Sequence, residues 1–342
     1  MTAEDDARFR AKARPIAYLI AVLLVLVGSF AFKMRRDGIF ACPANGYDDD
    51  YYLGYCHGTA YGDYDHGAFW FELEPEISTY ASSADVLFLG SSRLQYGFSS
   101  DALSRWFAEI NRTYYLMGFT HTENVNFYAP LLKRLRPQAR AYVINADQFF
   151  VNRESPPAHD VMHEPGAREK YKQKRYWQIP HRVVCTVLSA LCGGASSFFR
   201  NRETGEWRLG GVSGKVASDV GPVRPIDIER VAHEQFNASQ FIRNLGVKRD
   251  CIFFTYVPPK ENERATAAAI ASAIGFELIS PKVEGLRTFD GSHLQRASAE
   301  RFASAFLELA GPRLRKCLSD ERPPNLQGIL SEDGRGSARI AP

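Results

Sequence analysis

The sequence predicts an α/β protein with a parallel sheet, preceded by a helix that spans a membrane. From residue 84 onward, short apolar runs alternate with amphipathic stretches, which is typical of a parallel sheet covered on both faces by helices. Near the N-terminus, residues 15–32 are 18 consecutive uncharged residues, just enough for a helix to cross the hydrocarbon core of a bilayer. The chain therefore combines a membrane segment with a domain built from βα units.

Length and composition limit the classes of function. The 342 residues suffice for one large domain or two small ones with self-sufficient cores. A content of 45% hydrophobic and 24% charged residues is ordinary for a globular protein. The net charge of +3 is too small to indicate a nucleic-acid partner, and no internal repeat indicates a solenoid or a propeller.

The apolar run near the N-terminus predicts an anchor in the inner (cytoplasmic) membrane. Its basic flanks are Arg8, Arg10, Lys12 and Arg14 before it, and Lys33, Arg35 and Arg36 after it. The small excess before the run favours a cytoplasmic tail at 1–14, a single-pass anchor at 15–32 and a periplasmic domain. A cleaved signal peptide is the alternative, although charges within 33–37 argue against lipoprotein processing at Cys42. In both cases the remaining residues lie outside the cytoplasm.

Four of the six cysteines form two sequence-local pairs. Cys42 and Cys56 flank a loop, and Cys185 and Cys192 are seven positions apart. Disulfides persist in oxidising compartments, and close spacing favours pairing within one loop. Both pairs are therefore expected to be local disulfides.

The last two cysteines favour a different interpretation. Cys251 begins an apolar strand and is expected to be a buried thiol, and the same interpretation is favoured for Cys317. No cysteine pair combines zinc-ligand spacing with partnering histidines. We therefore predict neither a metal nor a cofactor.

Apolar runs and helix caps predict the order of elements after residue 83. The continuous apolar run 84–90 is expected of a strand buried on both faces, and Ser99-Ser100-Asp101 caps a helix that runs to about residue 110. Further strands are predicted at 113–117, 142–146, 251–257 and 276–280. Further helices are predicted at 123–135, 226–245, 264–274 and 298–310.

The remaining stretches define the domain boundaries. Residues 33–83, dense in Tyr, Asp and Gly, are predicted as a juxtamembrane aromatic segment, and 84–318 as the α/β domain. Residues 150–225 interrupt the alternation and are predicted as an insertion, a lid or a subdomain. The apolar stretch 183–191 is too short to span a membrane; core is the favoured interpretation, and contact with a membrane surface is the alternative. The polar, Pro- and Gly-rich tail at 319–342 is predicted to be disordered.

Candidate catalytic side chains follow two of the predicted strands. Gly90-Ser91-Ser92-Arg93 comes directly after the first strand, where a serine is exposed at the sheet edge and nearby N–H groups can bind an oxyanion. A serine nucleophile needs a base. After the last predicted strand, Asp290 and His293 are three residues apart, so the carboxylate can orient the imidazole toward a serine.

These two motifs resemble the first and last blocks of the SGNH/GDSL hydrolase family. Gly90-Ser91-Ser92-Arg93 is similar to the Gly-Asp-Ser-Leu block, with Ser91 in place of Asp, and Asp290-Gly291-Ser292-His293 to the Asp-x-x-His block. The resemblance covers roughly residues 84–312 and implies a three-layer α/β/α flavodoxin-like fold. It also implies that Ser92 is the nucleophile, His293 the base and Asp290 the orienting acid.

The middle blocks of the family match less closely. The resemblance implies an oxyanion hole formed by the N–H groups of Ser92 and Gly118 and the side chain of Asn145. Where the family has Gly-x-Asn-Asp, however, this chain has Asn145-Ala146-Asp147-Gln148. Membrane-anchored relatives that move acyl groups onto envelope polymers, such as the teichoic-acid D-alanine transfer protein and the alginate acetylation proteins, also carry altered third blocks. The stretch from Asn145 is more similar to the first of these than to a secreted esterase.

The expected function is serine-dependent acyl-ester chemistry, by an O-acyltransferase or an esterase, on a cell-envelope polysaccharide or glycolipid. The expected partners are an acylated envelope glycan or an acyl-donor membrane protein. Arg93 is a candidate contact for an anionic substrate, although a structural ion pair is the favoured interpretation of such an arginine.

The alternative is a non-catalytic envelope protein that binds or assembles polysaccharide and retains a relict site. Its working surface would be the basic and aromatic run 168–177, for which a solvated helix face is the favoured interpretation. A lipid-directed lipase is a third hypothesis, but it needs longer apolar lid helices than the sequence offers.

Overall fold

The computed structural model describes residues 3–210 and 217–319, which belong to two compact units. The antiparallel unit contains the described residues 3–80 and 154–210. The parallel unit contains the described residues 81–153 and 217–319. The predicted disordered tail, except for Ser319, lies outside the described residues.

The elements are numbered in chain order. The helices are α1 (Ala3–Asp37), α2 (Asp65–Trp70), α3 (Pro75–Ser83), α4 (Ser92–Phe98), α5 (Asp101–Glu109), α6 (Val125–Leu135), α7 (Pro156–His163), α8 (Ala167–Val187), α9 (Ile228–Arg243), α10 (Arg264–Ala273) and α11 (Arg296–Ser319). The strands are β1 (Tyr51–Cys56), β2 (Gly62–Asp63), β3 (Val86–Ser91), β4 (Tyr114–Phe119), β5 (Ala141–Asn145), β6 (Ser197–Asn201), β7 (Trp207–Gly210), β8 (Ser218–Asp219), β9 (Ile252–Thr255) and β10 (Arg287–Thr288). Short 3-10 helices cover Ile39–Ala41, Ser189–Leu191 and Arg249–Cys251.

A four-stranded parallel sheet forms the centre of the parallel unit. Its order is β4-β3-β5-β9, and Val86 at the start of β3 lies opposite Tyr114 on β4 and Ala141 on β5. Every residue of these strands is buried, which explains why the sequence shows continuous apolar runs rather than alternation. The predicted class, a mixed α/β protein whose parallel sheet is flanked by helices, is confirmed.

Helices cover the sheet because successive strand residues point to opposite faces. On one face, Phe88 of β3 packs with Phe98 of α4, Phe107 of α5 and Phe302 and Phe306 of α11 in one apolar cluster. On the other face, aromatic contacts join Phe149 to Tyr128 of α6 and to Phe241 of α9.

The capping residue predicted for α5 is present. The Ser100 side chain caps α5 by accepting a hydrogen bond from the Leu103 N–H.

The strand predicted at 276–280 does not form, so this prediction is wrong. Only Leu278 bridges β9, opposite Phe254, and the Ile279 N–H donates to the Phe254 carbonyl at 2.8 Å. Pro281 follows directly and has no N–H to extend a ladder. The segment lies beside the sheet as irregular chain, with Phe276 packed on Phe254.

Three disulfides are present among the described residues. The expected local pairs, Cys42–Cys56 and Cys185–Cys192, are confirmed. The expectation of a buried thiol at Cys251 is wrong, because Cys251 bonds to Cys317 across a separation of 66 residues. Cys251 precedes β9 and Cys317 lies near the end of α11, so only the packing of that helix on the unit brings the sulfurs together.

The antiparallel unit joins two distant stretches of sequence. Its sheet has the order β2-β1-β6-β7, in which β1 from the juxtamembrane segment pairs antiparallel with β6 from the segment predicted as an insertion. Beneath it, the guanidinium of Arg200 and the carboxylate of Asp65 form an ion pair with both side chains fully buried. The Tyr52 hydroxyl donates to Asp65 at 2.7 Å, which helps to satisfy a carboxylate that has been taken out of water.

Helix α8 contains both the basic and aromatic run and the first part of the apolar stretch. Its buried face carries Tyr171, Lys174, Gln178, His181 and Cys185. Burial lowers the pKa of Lys174 to about 8, and its ammonium donates to the Asp63 carbonyl at 2.6 Å. The prediction that 183–191 forms core is wrong, because Val183 and Val187 are 61% and 76% exposed. These valines lie on the outward face of α8, opposite the side chains that hold it to the unit.

Within α1, Pro15–Phe32 forms a span with a mean hydropathy of 2.4 and none of it buried. By length and composition this helix is able to cross a membrane. An apolar N-terminal helix, whether signal or anchor, together with three disulfides indicates an extracytoplasmic protein.

Candidate active site

Ser92 lies at the junction of β3 and α4, where the apolar strand ends. Ser91 is the N-cap of α4, and its hydroxyl oxygen accepts a hydrogen bond from the Arg93 N–H at 3.2 Å. Ser92 is therefore the first helical residue, beyond the carboxyl end of β3. Its Oγ lies 2.8 Å from Nε2 of His293, although the two residues are 201 positions apart in sequence.

Asp290 holds His293 in a tight turn before α11. The Asp290 Oδ1 accepts from the N–H groups of Ser292 and His293 at 2.9 and 2.8 Å, and Oδ2 lies 2.7 Å from His293 Nδ1. Gly291 has φ +85°, a left-handed conformation that glycine adopts without strain. A carboxylate on Nδ1 favours the tautomer that has its proton on Nδ1, which leaves Nε2 free to accept the proton of Ser92.

The environment of Asp290 favours its ionised form. Burial by itself raises the pKa of this carboxyl group. The hydrogen bond and positive charge of His293, with the two backbone N–H donors, outweigh burial and lower the pKa of Asp290 to about 2. The group therefore stays a carboxylate at neutral pH, as required of a residue that orients an imidazole.

Aromatic rings fix the plane of the His293 imidazole. The ring of Tyr96, from α4, has its centroid 4.4 Å from the imidazole centroid. Phe289 stacks at 5.6 Å with an interplanar angle of 20°, and its N–H donates to the His293 carbonyl at 3.0 Å. Packing on two sides restricts rotation of the imidazole, so Nε2 stays directed at Ser92.

A buried polar network holds the two residues that flank Ser92, Ser91 and Arg93. The Ser91 hydroxyl donates to Asp147 Oδ2 at 2.8 Å, and Nη1 of Arg93 lies 3.6 Å from the same oxygen. Nε of Arg93 donates to Ser292 Oγ at 3.1 Å. Burial outweighs the opposing effects of Arg93 and Ser91 and raises the pKa of Asp147 to about 6. Arg93 thus takes part in an ion pair. This agrees with the interpretation favoured from the sequence, rather than with a contact to an anionic substrate.

Sequence reasoning did not assign Asp147 a role. The available signal was its position two residues after β5, at the same sheet edge as Ser92. Two further residues at this edge, His121 and Thr122 after β4, have left-handed φ values of 59° and 58°. The sequence carries no sign of these values, because glycine is the residue that usually marks such positions.

The two remaining oxyanion candidates lie on the strands that flank β3. Gly118 of β4 lies opposite Gly90, and a Cβ there would come within 2.5 Å of Gln95 Cγ and 2.8 Å of the Ser91 carbonyl oxygen. Close packing of α4 on β4 therefore requires glycine. Asn145 ends β5 and is fully buried; its Oδ1 accepts from the Val257 N–H at 2.9 Å. Its Nδ2 has no hydrogen-bond partner among the described residues.

One group of potential metal ligands occurs among the described residues, and it lies in the antiparallel unit. It consists of His181, Cys185 and Cys192. The two sulfurs are bonded to each other, and the imidazole nitrogens lie 3.0 Å from the Tyr47 hydroxyl and 3.0 Å from the Cys42 carbonyl oxygen. All of these ligand atoms are already engaged, so the group does not provide a metal site in this state.

Comparison with known proteins adds no assignment: no protein-family model, no curated protein and no solved structure matches the chain. The interpretation of the site therefore rests on its geometry. A serine hydroxyl, an imidazole and a carboxylate in one hydrogen-bonded chain form the arrangement that activates serine as a nucleophile.

Proposed function

We propose that this protein is a serine-dependent acyl-ester enzyme of the SGNH type, either an O-acyltransferase or an esterase. The observation that carries the proposal is the continuous hydrogen-bonded chain Ser92–His293–Asp290, with separations of 2.8 and 2.7 Å. Nucleophile, base and orienting acid are within the distances that acyl transfer by serine requires. Neither a metal nor a cofactor enters the proposed reaction.

In the first half-reaction, Ser92 Oγ attacks the carbonyl carbon of an acyl ester or thioester, and its proton passes to His293 Nε2. The tetrahedral intermediate collapses, and the leaving group takes that proton from His293, which leaves an acyl ester on Ser92. In the second half-reaction, a sugar hydroxyl or water gives its proton to His293 and attacks the acyl carbon. Ser92 then regains its proton from His293, and the new ester or the free acid departs.

The topology of the sheet supports the SGNH assignment. Numbered by their order along the chain, the four parallel strands have the spatial order 2-1-3-4, as in flavodoxin-like sheets. With helices contacting both faces, this order is that of a three-layer α/β/α fold. In such sheets ligands bind at the carboxyl ends of the strands near the switch between the first and third, here β3 and β5. Ser92 follows the first of these strands directly.

The proposed oxyanion hole combines the N–H groups of Ser92 and Gly118 with the side chain of Asn145. Asn145 is included because its Nδ2 is a buried donor with no hydrogen-bond partner among the described residues, and an oxyanion that reached it would satisfy it. Its Oδ1 is held by the Val257 N–H, which fixes the orientation of the amide. Ser92 contributes its own N–H from the first position of α4.

We assign the acyl acceptor or donor to the cell envelope, as a polysaccharide or a glycolipid. The proposal treats Pro15–Phe32 as an uncleaved single-pass anchor in the inner membrane, with both units in the periplasm. A tethered enzyme is suited to exchange between membrane-linked partners, such as an acyl-donor membrane protein and an exported glycan. For that reason we favour transfer over free hydrolysis.

The non-catalytic alternative receives less support from the basic and aromatic run 168–177. Lys170 pairs with Asp160 at 2.8 Å, and Lys172 with Glu169 at 2.7 Å. Lys174 is buried and engaged with a backbone carbonyl. Side chains that are already paired or buried are poor contacts for an anionic polysaccharide.

Labelling with a fluorophosphonate probe tests the proposal. The full chain should be labelled at Ser92, the Ser92→Ala variant should not be labelled, and Ser304→Ala should be labelled normally. Ser304 lies on α11 and donates to the Glu300 carbonyl, away from Ser92, so it is a matched control. No labelling of the unmodified chain, or undiminished labelling of Ser92→Ala, would overturn the proposal.

A further inference from the structure

The outward face of α8 carries apolar side chains that are not covered by the antiparallel unit. Tyr176, Ile179, Val183 and Val187 are each more than 60% exposed. With 3.6 residues per turn, these four positions lie on one side of the helix. Leu188 and Leu191 continue the apolar surface into the following 3-10 helix and are also exposed. We call these six residues the α8 apolar face.

The opposite side of α8 holds this surface firmly in place. Gln178 accepts from the Leu53 N–H at 3.0 Å through its side-chain oxygen. The His181 ring nitrogens are within 3.0 Å of the Tyr47 hydroxyl and the Cys42 carbonyl oxygen. The Cys185–Cys192 disulfide closes the turn that carries Leu188 and Leu191. These contacts fix the orientation of α8, so its apolar side chains stay exposed to solvent. A contiguous exposed apolar patch on a soluble protein usually marks an interaction site.

This surface is attached to the chain that leaves the apolar span. Gly193 donates its N–H to the Phe40 carbonyl at 3.1 Å, and Ala195 donates to the Ala41 carbonyl at 2.9 Å. The Phe40 ring also packs edge-on against His181 of α8, with ring centroids 5.7 Å apart. The segment that follows α8 is therefore hydrogen-bonded to Ile39–Ala41, the first structured turn after α1, and α8 itself contacts this turn through His181.

The length of the connecting chain places this turn close to a bilayer. The span ends at Phe32 and α1 ends at Asp37, so the helix continues about 8 Å beyond the span at its rise of about 1.5 Å per residue. Each polar layer of a bilayer is about 6 Å thick, since about 12 Å separates the full thickness from the hydrocarbon core. With Pro15–Phe32 as the proposed anchor, the turn at Ile39–Ala41 and the segment after α8 that is bonded to it therefore lie at the outer edge of the headgroup layer.

The order of side chains along α8 matches the polarity of that layer. The N-terminal turns carry charged residues such as Arg168 and Lys170, then come Tyr176 and Trp177, and the last turns carry Val183 and Val187. Basic, aromatic and apolar residues in this order along a helix are typical of interfacial protein segments. The apolar end is also the end that is joined to the exit of the span.

We propose that the α8 apolar face lies against the headgroup layer of the outer leaflet beside the proposed membrane anchor and forms a second, monotopic contact with lipid. The contact stabilises the antiparallel unit against the membrane surface, because apolar side chains leave water for the interfacial layer. It rests on the proposed uncleaved anchor at Pro15–Phe32, but not on the chemistry proposed for Ser92.

Fluorescence quenching by lipid tests this contact in the full chain. The chain is reconstituted at one copy per nanodisc in phosphatidylcholine brominated on the acyl carbons nearest the headgroup, with a small fluorescent amino acid at position 187. The label should lose most of its intensity, relative to discs of unbrominated lipid. The same label at Glu203, an exposed position in the turn between β6 and β7, is the control and should lose little. Equal quenching at the two positions contradicts the proposal.

Charge substitution separates lipid from a protein partner. With the label at position 191, the double change Val183→Glu and Val187→Glu should abolish quenching, because carboxylates oppose burial in the interfacial layer. The matched change Ile228→Glu and Phe236→Glu, at two exposed apolar positions of α9, should leave quenching intact. Persistent quenching in the first variant overturns the proposal. The proposal is also overturned if the label at position 187 becomes inaccessible to aqueous quencher only in discs that hold two copies. That outcome assigns the surface to self-association.

Discussion

Arg93 joins the segment that carries Ser92 to the turn that carries His293, because its Nε donates to Ser292 Oγ at 3.1 Å. Arg93 directly follows Ser92, and Ser292 directly precedes His293. The same guanidinium lies 3.6 Å from buried Asp147 and is only 20% exposed. We therefore infer that this contact helps to fix the distance between Ser92 and His293, which would make Arg93 a positioning residue.

Replacing Arg93 with alanine is expected to lower kcat of ester hydrolysis by about ten- to a hundredfold, since small misplacements of reacting groups cost about that much. KM for a neutral p-nitrophenyl ester should change little. Arg105→Ala, which removes an exposed ion pair with Glu300, is the control and should retain full activity. A rise in KM alone, with kcat unchanged, assigns Arg93 to substrate binding instead.

Replacing Asp290 with asparagine is expected to lower kcat on the order of 10⁴-fold, because an amide no longer favours the tautomer with its proton on Nδ1 of His293. The rate of fluorophosphonate labelling at Ser92 should fall in parallel. Folding is expected to persist, since the side-chain oxygen can still accept from the N–H groups of Ser292 and His293. An unchanged labelling rate in a folded Asp290→Asn protein contradicts the role given to this carboxylate.

Asp147 is expected to make folding stability depend on pH. Its pKa is about 6 in the folded protein, whereas an aspartate in the unfolded chain has its ordinary pKa of 3.8. Between these two values the folded state binds the proton that the unfolded chain has released. Stability should therefore fall by about 2–3 kcal/mol as pH rises from 4 to 7. Urea unfolding of the wild type and of Asp147→Asn across this range measures the effect.

The asparagine variant should show a flatter profile between pH 4 and 7, because it cannot ionise. Asp290 does not interfere in this window, since its pKa is lowered to about 2 and its contribution is lost only as pH falls below about 4. Parallel profiles for the two proteins contradict the assignment of the titration to Asp147.

Removing the Cys251–Cys317 disulfide is expected to destabilise the parallel unit more than removing Cys185–Cys192 destabilises the antiparallel unit. The loops span 66 and 7 residues, and loop-closure entropy gives losses of about 4 and 2 kcal/mol. Alanine pairs at these positions, unfolded in urea, provide the comparison. Equal losses show that constraint of the unfolded chain is not the dominant effect of these bonds.

The sequence by itself determined the features that depend on local order. Continuous apolar runs predicted the four central strands, because residues buried on both faces of a sheet need no polar alternation. The spacing of Asp290 and His293 predicted their hydrogen bond, since three residues fit within one turn. The apolar span and the two local disulfides followed from composition and short spacing in the same way.

The tertiary structure decided which distant residues meet. It paired Cys251 with Cys317 and placed Asp147 next to Ser91, which the sequence did not predict. It also brings His293 to Ser92 across 201 positions, a contact that the two motifs had suggested. It also turned the apolar face of α8 outward, where the sequence had suggested core. Periodicity along a chain reports how one element is buried around its own axis. Contacts between distant elements depend on how all the intervening segments pack and on the entropy of closing the loops between them. No local sequence pattern contains that information.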